Sequence, residues 1–257
     1  MNTTIATTKI EVPYPDTAPL ELLLITGPCR VQFTTTDAPV WMTGTYEDPS
    51  GVLPIAVTPG ARTVIQQRFD PTSGLWQAAA PRLALAFGTA RPFAIEIQTG
   101  AGDNVYDLGG LPLSRVVVKA GAGRFELDWS SPNPTPLALI DVSAGAGAIT
   151  ARGLANANFS AMKFAGGMAA CTLDFSGDLR RDANVRVDSG LGSIDLLVPA
   201  TTALVAKAKT FATAKRATGA FTVRGDEYLT PAASNGARPL IEVEVSLAFG
   251  SIAFATT

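Results

Sequence analysis

The chain has 257 residues, of which 47% are hydrophobic and 16% charged, with 24 Gly and 18 Pro; this excludes a disordered polymer and favours a large core crossed by many turns. The net charge of −2 gives no overall attraction to nucleic acid or acidic lipid. With no histidine, Ser-His-Asp triads, Cys-His pairs and histidine-ligated metals are excluded.

Residues Met1 to Ile10 show no basic stretch followed by an apolar one, so no signal peptide is read there. No run approaches the ~20 apolar residues of a transmembrane helix. The expected location is cytoplasmic, with envelope association as the alternative.

The first element signal is Leu22 and Leu24 leading into a small-residue bend, Gly27-Pro28-Cys29, with Val31 and Phe33 beyond it. After a less regular stretch around Val52 to Gln67, the same bend recurs as Gly100-Ala101-Gly102, Gly121-Ala122-Gly123, Gly145-Ala146-Gly147, Gly167-Met168-Ala169 and Gly190-Leu191-Gly192. A last copy, Ala248-Phe249-Gly250, follows a second irregular stretch around Leu204 to Val223. From Gly102 to Gly192 the bends are 21, 24, 22 and 23 residues apart.

Counting from the last residue of each bend, positions −7 and −5 are apolar in every copy, as in Val116/Val118, Ile140/Val142, Met162/Phe164 and Val243/Val245. The residue between them is mostly charged: Glu96, Asp141, Lys163, Arg186, Glu244. Positions +2 and +4 are apolar again in Phe125/Leu127, Ile149/Ala151, Cys171/Leu173, Ile194/Leu196 and Ile252/Phe254. The Gly102 copy is the exception and reads as slipped by one residue at Asn104.

Alternation on both sides of a glycine bend describes two short half-buried strands meeting at a corner. The expected fold is therefore all-β, a single-stranded β-solenoid of coils of about 21–24 residues. Residues 1–92 are expected as irregular N-terminal coils or a cap, 93–199 as regular coils and 200–257 as irregular C-terminal coils of one domain. A β-sandwich of consecutive hairpins is the competing reading.

At +5 stand Asp128, Arg152 and Asp174, with Asp107 at the same offset in the slipped copy. Stacked on successive coils they form a structural charge ladder. A carboxylate cleft of a carbohydrate-active β-helix enzyme is the alternative, with Asp107, Asp128 and Asp174 as acids and Arg152 as the cation. Leu108, Trp129 and Phe175 at +6 read as a packed corner.

Cys29 and Cys171 are too far apart for a C-x-x-C pair; Cys171 falls on an inward offset and Cys29 on a bend, so both read as structural. Ser160-Ala161-Met162-Lys163 matches S-x-x-K, but its Met162 sits at an inward strand offset and no K-T-G follows. None of the Gly-x-Gly bends continues to G-x-G-x-x-G. No catalytic, cofactor or metal residue is assigned.

The one electropositive segment holds Lys207, Lys209, Lys215, Arg216 and Arg224, with no acid before Asp226. It reads as a solvated strand or as a surface contact for an anionic polymer or membrane. Partners are expected to be a protein or an envelope polymer, not nucleic acid. Solenoid ends expose strand edges, so the chain is expected as a monomer or an end-to-end oligomer, including a polymerising scaffold.

Asp107-Leu108-Gly109-Gly110-Leu111, Ala144-Gly145-Ala146-Gly147, Gly153 to Phe159, Leu173 to Asp182 and Gly190-Leu191-Gly192-Ser193 carry a resemblance, over about Phe93 to Pro199, to the toast-rack family. That domain occurs in LiaF-type proteins of the bacterial cell-envelope stress response, and similar Gly-rich coils occur in adhesin domains. The resemblance implies a bacterial β-solenoid with no catalytic residues to carry over. The function expected is a non-catalytic structural or interaction module linked to envelope stress or adhesion.

Overall fold

Alternating apolar residues on the first strands build two sheets at the N-terminal end of the molecule. A computed structural model describes residues 6–68 and 80–257. β1 (Ala6–Val12), β2 (Leu20–Thr26), β3 (Arg30–Thr36), β4 (Met42–Asp48), β5 (Ile55–Thr58), β6 (Arg62–Gln67) and β7 (Arg82–Gly88) come first. β1, β4, β7 and β3 form a four-stranded sheet in that order, antiparallel except for β7 with β3.

β2 and the β5–β6 hairpin join instead one edge of a twelve-stranded sheet. The stretch around Val52 to Gln67 is thus a hairpin at a sheet edge. The two sheets are tied by a buried polar chain: Tyr46 donates to Leu53 O, Gln67 Nε2 donates to Tyr46 OH at 3.2 Å, and Gly27 N donates to Gln67 Oε1 at 2.8 Å.

The regular coils are β8 (Phe93–Asp107), β9 (Leu113–Asp128), β10 (Leu137–Arg152), β11 (Phe159–Asp174) and β12 (Ala183–Val198). Each is one long strand carrying a bend, and each pairs in parallel with the next. Consecutive hairpins would pair antiparallel, so the sandwich reading fails and the solenoid stands.

Along β9 the buried residues pass from Val116 and Val118 before the bend to Phe125 and Leu127 after it, changing from odd to even offsets. A flat strand keeps its parity. The change turns both arms of the strand toward one interior. The return segments complete that interior with Leu108, Leu111, Trp129, Leu154 and Phe175, all fully buried.

The bend glycines are required by stacking. A Cβ on Gly123 would stand 2.1 Å from Gly102 O, and one on Gly147 would stand 2.0 Å from Gly123 O. Both residues also have positive φ, 134° and 126°, which only glycine adopts without strain.

The expected slip at Asn104 is corrected by the register. Asn104 pairs with Phe125 and Tyr106 with Leu127, in phase with the other coils. Asn104 simply occupies an inward site as a buried polar residue, its Nδ2 donating to Thr99 Oγ1 at 3.3 Å.

The return segments are held by asparagines. Asn133 Nδ2 donates to Leu113 O at 2.9 Å and to Ala157 O at 3.3 Å, bridging the coils on either side. Asn156 Nδ2 donates to Trp129 O at 2.9 Å, and Asn158 Nδ2 to Thr135 O at 3.1 Å. These bonds give otherwise buried carbonyls a partner.

At the C-terminal end the chain makes one further bent strand, β13 (Ala203–Thr218), then the short strands β14 (Thr222–Arg224) and β15 (Glu227–Leu229). A single helical turn, α1 (Pro231–Ser234), precedes β16 (Leu240–Thr256). β16 does not follow β13 outward. It inserts between β12 and β13, parallel to both, matching Gly250 to Gly192 on one side and to Thr213 on the other.

Candidate interaction surfaces

The +5 residues open the return segments. Asp107 Oδ2 accepts from Ser130 Oγ at 2.7 Å and Oδ1 from Gly109 N at 2.9 Å. Asp174 likewise accepts from Ser176 N at 2.9 Å and Ser176 Oγ at 3.0 Å. Both cap the turn that follows them, and Asp107 in addition ties its turn to Ser130 of the next coil.

Register brings Asp107 beside Asp128 and Asp128 beside Arg152. Arg152, however, makes its ion pair with Glu126 at 2.7 Å. Burial, then the charge of Asp107, pushes the Asp128 carboxyl above the usual carboxylate range, while Arg152 works in the opposite direction.

Lys207, Lys209, Lys215 and Arg216 lie on β13, the last bent strand of the stack, and Arg224 lies on β14. Lys207 pairs with Glu227 at 3.1 Å and Lys215 with Asp226 at 3.0 Å. Lys209, Arg216 and Arg224 are exposed. Lys215 stands at the inward offset that Ile252 fills on β16, and its ammonium also donates to Ala208 O at 2.9 Å.

Beside this segment a groove of about 310 Å³ crosses the first arms of β11, β12, β16 and β13. Lys163, Arg186, Glu242, Glu244 and Lys207 line it, so its walls carry both signs of charge. Arg186 is held by Asp188 at 2.7 Å.

The surface that sequence reading missed is the outer corner. The middle residue of each bend stacks on the next, in the order Ala101, Ala122, Ala146, Met168, Leu191, Phe249. Met168 is 61% exposed, Leu191 45% and Phe249 50%. The signal was present as apolar residues between the two small residues of each bend, at an offset that faces away from the core.

The buried thiols face no such surface. Burial pushes both Cys29 and Cys171 up to about 12, leaving them as inert core groups. Among the described residues no cluster of three or more His, Cys, Asp or Glu could hold a metal ion, and no helix is long and apolar enough to cross a membrane.

Stacked bent strands with glycine corners and asparagine-tied returns define a β-solenoid class of protein. Residues 3–152 match the family model described as the N-terminal domain of toast_rack, DUF2154. The chain belongs to the toast-rack family. The match includes the N-terminal sheet as well as the first three regular coils.

No curated protein matches the chain. Among solved structures, it is similar to a "putative cell adhesion protein" from Clostridium sporogenes, with 17% identity, 99% of this chain and 100% of that one covered, and a TM-score of 0.49. A "putative lipid binding protein" from Parabacteroides distasonis has 10% identity, coverage of 100% and 98%, and a TM-score of 0.42. A "putative adhesin" from Parabacteroides merdae has 8% identity, coverage of 98% and 97%, and a TM-score of 0.40.

Proposed function

We propose that the chain is a non-catalytic interaction module of the cell envelope, and that it holds its partner on the apolar outer corner. The observation that supports this is the row Met168, Leu191 and Phe249, exposed side by side on adjacent strands. Alanine serves at the same offset in β8, β9 and β10, so forming the bend requires no large side chain there. Full burial of such a side chain is worth about 1.5–3 kcal/mol, and since each is already about half covered, a partner would gain roughly half of that from each, enough for a few together to anchor a contact.

The carboxylates suit this reading better than catalysis, because Asp107 and Asp174 are engaged in turn caps and Arg152 is drawn to Glu126. Co-sedimentation of the purified chain with bacterial cell-wall and membrane fractions tests the proposal. The chain should pellet with one of the fractions, and a Met168→Ser/Leu191→Ser variant of unchanged circular dichroism should stay largely in solution. Equal sedimentation of the two proteins, or none, counts against the corner as the contact.

A further inference from the structure

The last strand in the stack is sealed at its core and open along its backbone. Tyr228 stacks on Phe254 at 4.2 Å and Phe221 approaches the same ring at 6.2 Å, so the β14–β15 hairpin closes the apolar interior. β15 pairs with β13 only from Val205 to Lys207. Beyond the bond from Ala208 N to Asp226 O, no strand among the described residues lies along the outer side of β13 from Lys209 to Thr218.

We propose that this open edge accepts an extended acidic segment of another protein as an added strand. Main-chain groups on an uncovered edge are a template for strand addition, and side chains beside them choose the partner. Here those side chains are basic: Lys209 and Arg216 are exposed, and Lys215 points inward, its charge answered by Asp226. An acidic residue on the outward face of the added strand would meet Lys209 or Arg216.

A second copy of this chain is a poorer occupant. Two β13 edges would set bases against bases, which is destabilising across a strand pair. The strands at the other sheet ends offer no acidic surplus: β1 carries Lys9 and Glu11, β3 carries Arg30, β14 carries Arg224 and β5 reads Ile-Ala-Val-Thr. The second arm of β8, which β2 leaves unpaired beyond Thr99, carries Asp103 and Asp107, but the Asp107 carboxylate is already engaged by Gly109 and Ser130. The inference is independent of the apolar corner, which lies at a different offset of the coil.

The test uses the full chain and two labelled synthetic peptides, Thr-Glu-Val-Glu-Val-Glu-Thr and its counterpart with Lys for Glu. Fluorescence anisotropy should show binding of the acidic peptide alone, and hydrogen exchange should slow at the amides from Ala214 to Thr218. A Lys209→Glu/Arg216→Glu variant should bind about tenfold more weakly or worse, while Arg216→Lys should bind nearly as well as the parent. Equal binding of both peptides, protection elsewhere in the chain, or no binding overturns the proposal. So does protection of β13 that rises with protein concentration without peptide, which would make the occupant a second copy.

Discussion

Gly147 is constrained twice, by its φ of 126° and by the 2.0 Å gap that a Cβ would leave to Gly123 O. Gly147→Ala should therefore cost about 3 kcal/mol or more, combining backbone strain with overpacking between coils. Ala146→Ser, one residue away on the outer corner, where the side chain is half-buried and faces away from the core, should change stability by less than about 0.5 kcal/mol. Urea denaturation of the two variants checks the contrast; similar midpoints would show that the stack relaxes around the bend.

Two carboxylates respond oppositely to pH. Burial raises the Asp48 pKa, but hydrogen bonds from Ser50, Leu53 and Gly51 outweigh it and leave the carboxyl below the usual range. Its contribution is full above the unfolded value near ~3.9 and is lost as pH falls through the lower folded value. Asp128 is raised instead, so it opposes folding above that unfolded range and ceases to do so as pH falls below it. Asp48→Asn should destabilise at pH 7 by about 1–3 kcal/mol, since it weakens the bonds to Ser50 and Leu53. Asp128→Asn should be neutral or stabilising by up to about 1 kcal/mol, through relief of like charge beside Asp107. Thermal melts from pH 3 to pH 7 give both signs, and a large loss for Asp128→Asn would reverse this assignment.

At the scale of elements, the β14–β15 hairpin is held mainly by apolar stacking over the end of the core. Tyr228→Ala removes a ring stacked on Phe254 and should cost about 2–4 kcal/mol. Hydrogen exchange should report faster amides at Glu227–Leu229 with little change in β9 and β10. Uniform loss across the chain would show that the hairpin is part of the central cooperative unit.

The same end shows where sequence reading stopped. β8 to β12 were legible because inward offsets hold apolar residues and stacked backbones require glycine at most bends. β13 was hidden because Phe211-Ala212-Thr213 replaces the glycine bend and Lys215 occupies an inward offset. Asn104 misled the reading for a related reason: a hydrogen-bonded polar residue can occupy an inward site, while alternation alone suggests a slip. The basic segment was visible as composition, but its place along an open edge depends on strand order. The apolar corner escaped because it lies at an outward offset, where packing gives no rule to follow.

At the scale of the molecule, the insertion of β16 makes the C-terminal end depend on long-range order. In a simple solenoid each coil rests on the one before it, and stability propagates between neighbours. Here β13 is made before β16 yet rests on it, and β16 in turn rests on β12. Removing Leu240–Thr256 should therefore leave β8 to β11 protected from hydrogen exchange while β13 and β15 lose protection. It should also promote association, since β12 would present a long edge with Ile194 and Leu196 newly uncovered beside it. Retained protection in β13 of the shortened chain would mean that β13 docks directly on β12 and that the inserted strand is dispensable.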